Sequence, residues 1–470
     1  MIKIALIYPP YQTAFTTYEP GIKAVKSNYG IIPCLSLLYV AGILKKSGYD
    51  VRFYDIEAMG LTRKKIKDLL SEFKPDYYCF TLTTYLFHQT VDWIRDIRSF
   101  RDAPVIAGGV HMGIYPRETF SVREIDYGVI GEAEETLPEL MEVLKRGIDP
   151  SEVKGVVFRR GNEVVITPPR EPLKNIDGGP FPARDLIPNE NYYTFISKRR
   201  NFTSIISSRG CPFKCVYCEQ GRLAYRPRSA ENVIEEIAEC YGKYGIREFD
   251  FFDSAFTIQK ERVSRICELI RREKLDIYWS IRSRIDSVDD KMLSELAASG
   301  CRRIYYGIES GDPDILKTLK KDTDIDKIRR VTRLTGEKGI DVFGYFLVGC
   351  PGDTPATIKK TINFAKELNL EYAQFSNTTP MPHTELYDML LKENGNDDYW
   401  RTFILDRHTD KKLKKPRTSL SEEEIKNAIR RAYMEFYFRP RYILKMLGKI
   451  ESFGEFMRYA KAAFDMVVRG

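Results

Sequence analysis

Ser207-Ser-Arg-Gly-Cys-Pro-Phe-Lys-Cys-Val-Tyr-Cys218 is the segment on which the reading of this chain turns. It places Cys211, Cys215 and Cys218 at spacings of four and three, directly after Thr203–Ser207, which reads as a strand. Thiolates so spaced in a loop can converge on one small inorganic core. Iron–sulfur clusters normally take four thiolates. Only three lie near each other here, so a cluster held by them leaves one iron open to bind and activate a ligand. The other cysteines, Cys34, Cys79, Cys240, Cys267, Cys301 and Cys350, are isolated and mostly in apolar or helical contexts. Three plainer readings stand beside this one. Structural zinc prefers paired Cys-x-x-Cys units with a fourth Cys or His, and the nearest histidine in sequence is His111. A ferredoxin-type site wants its fourth cysteine close by, followed by proline. Buried structural cysteines are the third.

Outward from the loop, the chain alternates strand and helix. Strand signals fall at Thr203–Ser207, Glu248–Phe252, Ile277–Ile281, Arg303–Tyr306, Val342–Val348 and Tyr372–Ser376, with helical stretches including Ala230–Lys243, Lys260–Glu273, Asp289–Ser299 and Thr354–Leu368. Six βα units make an open or partial (β/α)6 barrel of the TIM type, short of the eight that close one. The first 147 residues alternate likewise, with strands at Lys3–Tyr8, Val51–Ile56, Asp76–Leu82, Pro104–Ala107 and Tyr127–Ile130. Five strands with short connections predict a flavodoxin-like, Rossmann-type α/β domain, whose ligand sits at the carboxyl ends of the strands. Between the two, residues 148–200 read as a hairpin, Gly155–Arg160 with Glu163–Thr167, and a linker rich in proline and glycine. The expected division is thus 1–147, 148–200, a barrel at 201–400 and a helical extension at 401–470.

The extension loses the strand signal. Ser421-Glu-Glu-Glu424 opens as a capping box for a helix running towards Phe438, where Pro440 interrupts. Beyond it, Arg441, Lys445 and Lys449 recur every four residues, opposite Ile443, Leu447 and Ile450. Such a basic amphipathic helix can rest on a membrane surface. The plainer expectation is a helix that packs its apolar side on the barrel and turns its charges to water. Bulk properties fit a globular protein: 470 residues, 43% hydrophobic, 30% charged and a net charge of +8, with no basic arm of the kind that grips nucleic acid. The N-terminus reads as a buried strand with no signal peptide, which predicts a cytoplasmic protein whose cysteines are reduced. No apolar run reaches the length of a membrane span.

The Cys-x-x-x-Cys-x-x-Cys spacing at the end of a barrel's first strand resembles the radical S-adenosylmethionine (SAM) superfamily, which also has an aromatic residue where Tyr217 stands. The resemblance implies a [4Fe–4S] cluster on Cys211, Cys215 and Cys218, SAM chelating the open iron, and reductive cleavage of SAM to a 5′-deoxyadenosyl radical. More segments match in order. Phe251-Phe-Asp-Ser-Ala-Phe-Thr257 resembles the second-strand motif that meets the SAM amino group through the Asp253 region, although Ser254 stands where an Asp is common. Ser280-Ile-Arg-Ser-Arg-Ile-Asp286 aligns Arg284 with a SAM-facing arginine. Tyr306-Gly-Ile-Glu-Ser-Gly311 puts Glu309 at the barrel mouth, and Phe346-Leu-Val-Gly-Cys-Pro-Gly-Asp353 resembles the glycine motif that packs on adenine, with Val348 in it.

The N-terminal 147 residues resemble the cobalamin-binding domain that precedes the barrel in one large radical SAM group. Matching segments are Tyr8-Pro-Pro10, Pro33-Cys-Leu-Ser-Leu-Leu-Tyr-Val-Ala-Gly42, Ala107-Gly-Gly-Val-His-Met-Gly113 and Val129-Ile-Gly-Glu-Ala-Glu-Glu-Thr136. On that likeness Thr81, Thr83, Gly108, Gly109, His111, Gly131 and Glu132 face cobalamin, although for His111 the plainer reading is a loop histidine that is only hydrogen-bonded. The physical reading agrees, because glycines at strand ends admit a bulky ligand and Thr81, Thr83 and Thr84 add hydroxyls. The Asp-x-His-x-x-Gly motif that gives cobalt an axial histidine is absent after the first strand.

The likeness reaches to about residue 400, and within the group it points to members like the anaerobic magnesium-protoporphyrin monomethyl ester cyclases and hopanoid-associated enzymes, whose substrates are apolar. It implies an enzyme that methylates, cyclises or rearranges an unactivated carbon of a lipid or tetrapyrrole-like metabolite. Electrons would come from a flavodoxin or ferredoxin, and contact with the inner face of a membrane would be peripheral. Two other readings stay open: a cobalamin-free enzyme with a methylthiotransferase-like barrel, and a non-catalytic iron–sulfur scaffold.

Overall fold

Ile4, Ala5, Leu6 and Ile7 are fully buried in the strand Lys3–Tyr8 (β1), the pattern of a strand covered on both faces. The computed structural model describes residues 1–10, 30–415 and 417–469, and they divide into two compact units. The first takes its described residues from 1–10, 31–192 and 397–412. After β1 come Leu35–Lys46 (α1), Asp50–Asp55 (β2), Arg63–Phe73 (α2), Tyr77–Thr81 (β3), Phe87–Phe100 (α3), Val105–Gly108 (β4), Tyr127–Val129 (β5) and Ala133–Lys145 (α4). The strands pair in parallel in the order β2-β1-β3-β4-β5, the flavodoxin-like order expected.

The hairpin Val156–Arg160 (β6) and Glu163–Ile166 (β7) extends this sheet instead of standing in a separate linker. β6 pairs antiparallel with β5, Val129 opposite Val156 and Tyr127 opposite Phe158. Val156, Val157 and Phe158 are buried by that pairing, and apolar side chains of this size are not left in a solvated connection. The proline- and glycine-rich run that follows is also fixed. The Ala183 amide donates to the Leu38 carbonyl at 3.0 Å, and a Cβ on Gly42 would come within 2.6 Å of the Phe181 carbonyl oxygen. The Tyr192 hydroxyl donates to the buried Asp55 carboxylate at 2.9 Å.

The second unit takes its described residues from 193–396, 413–415 and 417–469. Its sheet is Phe202–Ile205 (β8), Glu248–Phe251 (β9), Tyr278–Ser283 (β10), Cys301–Glu309 (β11), Asp341–Val348 (β12) and Tyr372–Asn377 (β13). These six pair in parallel in chain order, which is the open half-barrel expected. Ala230–Lys243 (α5), Lys260–Arg272 (α6), Asp290–Ala298 (α7), Ile325–Glu337 (α8) and Pro355–Glu367 (α9) return between them. Ser229, Asp289, Asp324 and Thr354 cap α5, α7, α8 and α9 by accepting from an amide in the first turn. One face of the sheet, including Phe249, Phe251, Ile281, Ile304, Val342 and Phe346, is buried with helix residues such as Val233, Ile266 and Leu293.

Glu385–Glu393 (α10) closes the barrel region, while Tyr399–Leu405 (α11) belongs to the first unit. There α11 buries Trp400 and Ile404, and its N-cap Asp398 accepts from the Tyr115 hydroxyl at 3.0 Å. A boundary near residue 400 therefore cuts through chain that has returned to the first unit. Glu422–Tyr437 (α12) carries the capping box on Ser421 and Glu424, and lays Tyr433 and Phe436 against Phe375 of β13. Pro440–Leu447 (α13) and Phe453–Arg469 (α14) follow. No described helix is long and apolar enough to cross a membrane.

Candidate active site

The loop after β8 is held from several sides. Ser208–Arg209 pairs antiparallel with Arg226–Pro227. The Cys211 amide donates to the Leu223 carbonyl at 3.3 Å, and that of Val216 to Leu319 at 3.2 Å. Gly210 has φ +74°, and a Cβ there would strike the Ala224 carbonyl oxygen at 2.2 Å. All three loop cysteines are half-buried and free. Burial holds the Cys211 and Cys218 thiols above their ordinary value; Cys215 adds to the shift at both, and Cys211 adds to that at Cys218. The three sulfurs therefore lie within electrostatic reach of one another. Among the described residues no three His, Cys, Asp or Glu side chains group tightly enough for a single metal ion. Three free cysteines on one short loop are a donor set that suits a [4Fe–4S] cluster, in which each thiolate takes one iron. Its positive irons would offset the cost of burying thiolates at Cys211 and Cys218.

Cationic and hydroxyl groups converge beside the loop. Arg284 donates to Cys215 Sγ at 3.6 Å and to the Lys321 carbonyl at 2.6 Å, pairs with Asp286 at 2.7 Å, and lies 3.9 Å over the Phe213 ring. Glu309 closes β11 with φ +67°, a conformation a non-glycine residue holds only where its surroundings impose it. Its Oε1 accepts from the half-buried Tyr217 hydroxyl at 2.8 Å and from the buried Lys321 Nζ at 3.0 Å. Gly307 makes room for that pair: a Cβ there would meet Glu309 Oε1 at 2.4 Å and Lys321 Nζ at 2.7 Å. Thus Tyr217, Arg284 and Glu309 come together with the cysteines. Lys321 joins them unforeseen, because it sits in a loop with no motif around it.

Asp253 stands elsewhere than expected. It is fully buried, and its carboxylate accepts from the Ser207 amide and hydroxyl, both at 2.6 Å, and from the Ser208 hydroxyl at 2.7 Å. It anchors the root of the cysteine loop rather than facing outward. Val348 is fully buried at the end of β12, with its carbonyl taken by the Thr378 amide. The turn beyond it is tied by Asp353, which accepts from the amides of Gly349 and Cys350 at 2.9 and 2.8 Å.

The sheet's other face carries a wall that the sequence did not single out. Arg282, Tyr305, Phe343 and Tyr372 stand in register across four strands, and Tyr345 lies opposite Gly307 in a row nearer the mouth. Tyr305 stacks on Tyr345 at 5.9 Å and packs on Phe343 at 4.8 Å. Phe343, Tyr345 and Leu347 are half-buried, while the intervening Val342, Phe346 and Val348 are buried against the helices. Arg282 pairs with Asp250 at 2.8 Å and lies 4.7 Å over Tyr305.

In the first unit, the carboxyl ends of β3, β4 and β5 form an open shelf. Gly109, with φ +100°, has to be glycine, since a Cβ would meet the Leu82 carbonyl oxygen at 2.6 Å and Thr81 Oγ1 at 2.8 Å. Gly131 (φ +81°) and Gly113 have nothing within 4 Å of a Cβ position, and at Gly108 the first contact is 3.7 Å away. Gly109, Val110 and Gly131 are exposed, and Thr81 and Thr83 are half-buried. A broad ligand such as cobalamin fits backbone left open in this way. Glu132 spends an oxygen on the Leu173 amide at 2.8 Å.

His111 is not on that shelf. It is fully buried, Nδ1 meets Thr84 Oγ1 at 3.1 Å, the ring packs on Phe87 at 4.7 Å, and Nε2 has no partner. Burial, with His88 adding, pushes its pKa down to about 3 from 6.5. The unfolded chain takes up this proton below about 6.5 and the folded one does not, so stability falls as pH drops towards about 3. The loss approaches ~1.4 kcal/mol per pH unit. Urea unfolding at pH 6, 5 and 4 is expected to show a shallower decline for His111→Phe than for the parent; equal slopes would place the titration elsewhere.

Comparison with known proteins gives the same two halves. Residues 205–365 match the Radical SAM superfamily and residues 23–141 the B12 binding domain. An uncharacterised methyltransferase of Pyrococcus horikoshii is 32% identical over 453 residues, covering 95% of this chain and 94% of that protein. The anaerobic magnesium-protoporphyrin IX monomethyl ester cyclase of Rubrivivax gelatinosus is 27% identical over 387 residues, 79% of this chain and 68% of the cyclase. In fold, the chain resembles the radical S-adenosylmethionine methyltransferase TsrM of Kitasatospora setae, solved with cobalamin and a [4Fe–4S] cluster. That likeness has a TM-score of 0.67 at 21% identity, over 91% of this chain and 82% of the other.

Proposed function

The chain belongs to the radical SAM superfamily, in the group that carries a B12-binding domain, and from that premise we propose that it methylates an unactivated carbon of an apolar, ring-bearing metabolite. The observation that carries this reading is the convergence of Tyr217, Arg284, Glu309 and Lys321 beside the three cysteines of one loop. Bound together, the cluster and SAM supply one-electron cleavage of a carbon–sulfur bond, and cobalamin supplies a methyl carrier.

The chain's own residues do the rest. Cys211, Cys215 and Cys218 would hold the cluster, and Arg284 donates to Cys215 while fixing Lys321 through its carbonyl. Lys321 and Arg284 would offer positive charge to the carboxylate of bound SAM, and Glu309 and the Tyr217 oxygen would offer acceptors to its ammonium. Asp253 keeps the loop's root in place through Ser207 and Ser208. Thr81, Thr83, Gly108, Gly109 and Gly131 give the cobalamin domain its open shelf, and Glu132 fixes the chain near Leu173 beside it. The aromatic wall of Tyr305, Phe343 and Tyr345 supports an apolar substrate, since stacking on such rings excludes water and favours flat conjugated systems. A flavodoxin or ferredoxin would deliver electrons, and the C-terminal helices would make a peripheral contact at the inner face of a membrane.

Protoporphyrin IX serves as a test ligand for the wall. Its fluorescence is expected to change on titration with anaerobically reconstituted protein, with binding about tenfold weaker for Phe343→Ala and Tyr345→Ala, the loss of one stacking partner each. Equal binding by parent and variants, or none by the parent, would remove tetrapyrroles from the proposed substrates.

A further inference from the structure

The last helix is docked with its polarity reversed. In α14 the carboxylates of Glu455 and Asp465 are 3% and 2% exposed, whereas Phe453 is 78% and Phe464 63% exposed. Glu455 pairs with Lys198 at 2.5 Å, the Tyr459 hydroxyl meets that of Tyr372 at 2.9 Å, and Arg458 reaches the Phe195 and Ser197 carbonyls. Polar contacts therefore fix the inward side, and Phe453, Met457, Ala460 and Phe464 form an outward stripe at helical spacing. The preceding helix α13 buries Tyr442 and Met446 but leaves Leu444 71% and Leu447 50% exposed. The expectation that this segment packs apolar side chains on the barrel holds for Tyr442 and Met446 and not for Ile443, Leu444 and Leu447, which stay exposed.

From this inverted surface we infer that α13 and α14 dock the protein on an anionic lipid bilayer, lying in its interface. Charge decides between a bilayer and another protein. Of the six basic side chains in residues 439–465, Lys445 and Lys449 are paired with Glu371, and Arg439 and Arg458 bond to carbonyls, which leaves Arg441 and Lys461 facing outward. Two of the three acids, Glu455 and Asp465, are turned inward. Arg441 and Lys461 stay exposed beside the apolar stripe. Tall, separated apolar side chains with long cations at their edges suit insertion among lipid headgroups, where the cations reach the phosphates. A second copy of this chain would bring the same positive charge to the contact. This deepens the peripheral membrane contact proposed above by naming its surface and the lipid charge. Its test reads no methyl transfer, so either idea can fail alone.

Full-length protein, purified without oxygen, would be floated with phosphatidylcholine vesicles, with and without phosphatidylglycerol. It is expected to rise with the phosphatidylglycerol vesicles, less so at high salt. The triple variant Leu444→Ser, Phe453→Ser, Phe464→Ser should float about tenfold less, with unchanged circular dichroism, since all three side chains are exposed. Failure of the parent to float with either vesicle overturns the inference, as does equal flotation of the variant. Dimerisation of the parent that the triple variant abolishes, without flotation, would overturn it in favour of contact between copies.

Discussion

Cys215→Ala protein, reconstituted without oxygen, is expected to retain less than a full complement of four irons and to release no measurable 5′-deoxyadenosine from SAM under reduction. A fall of about three orders of magnitude or more fits residues that act as one unit. The fold should survive, because Cys215 is half-buried and its sulfur serves the Arg284 guanidinium and, at 4.0 Å, the Lys320 carbonyl, not the apolar core. The contrast is with Cys301, fully buried behind the sheet with Sγ 3.7 Å from the Arg303 carbonyl. Cys301→Ala should cost about 1 kcal/mol of stability and leave iron content untouched. Iron and sulfide analysis of the two proteins side by side separates loss of a ligand from loss of folding. Full iron in Cys215→Ala would remove the loop from the cluster.

Glu309→Ala is expected to be the most damaging change outside the cysteines. The carboxylate is the buried partner of Lys321 and the acceptor for Tyr217, and both lose it at once. Removing one member of a buried pair leaves a charge unpaired, at a cost of about 3–5 kcal/mol. Alanine also keeps the positive φ at this position without the contacts that impose it. Glu309→Gln should cost less, since the amide oxygen still accepts from Tyr217, but it deprives Lys321 of a negative partner. Thermal unfolding and equilibrium binding of SAM measure the two effects separately. If Glu309→Gln bound SAM as the parent does, Glu309 would have a structural role only.

Much of this was legible beforehand because short-range chemistry fixes it. The spacing of Cys211, Cys215 and Cys218 needs no tertiary knowledge, and strand–helix alternation with short connections leaves few topologies for either sheet. What escaped detection depends on partners distant in sequence. Val156–Phe158 reads as an isolated hairpin until Val129 and Tyr127 stand beside it. The chain 397–412 gives no local sign that it packs in the first unit, where the Arg401 guanidinium meets Glu118 at 2.7 Å. The aromatic wall was hidden because Asp341–Val348 is apolar on nearly every position, so alternation cannot say which side faces the helices. Asp253 turned inward, and His111 took the plainer of its two readings, for one reason. A polar residue just beyond a strand looks the same in sequence whether it faces a ligand or is buried against a neighbouring loop, as Asp253 is on Ser207 and Ser208 and His111 is on Thr84. The amphipathic period of α14 was equally visible, but period alone does not say which side turns in.

Methyl-labelled SAM tests most directly whether this chain, with cluster and cobalamin both bound, uses SAM as the source of a methyl group on a carbon. Protein reconstituted with iron, sulfide and cobalamin would be incubated under reduction with methyl-deuterated SAM and an apolar cell extract, and the products followed by mass. A product carrying all three deuterons, absent when Cys215→Ala protein replaces the parent, is the expected result. Consumption of SAM to 5′-deoxyadenosine with no deuterated product would contradict methyl transfer.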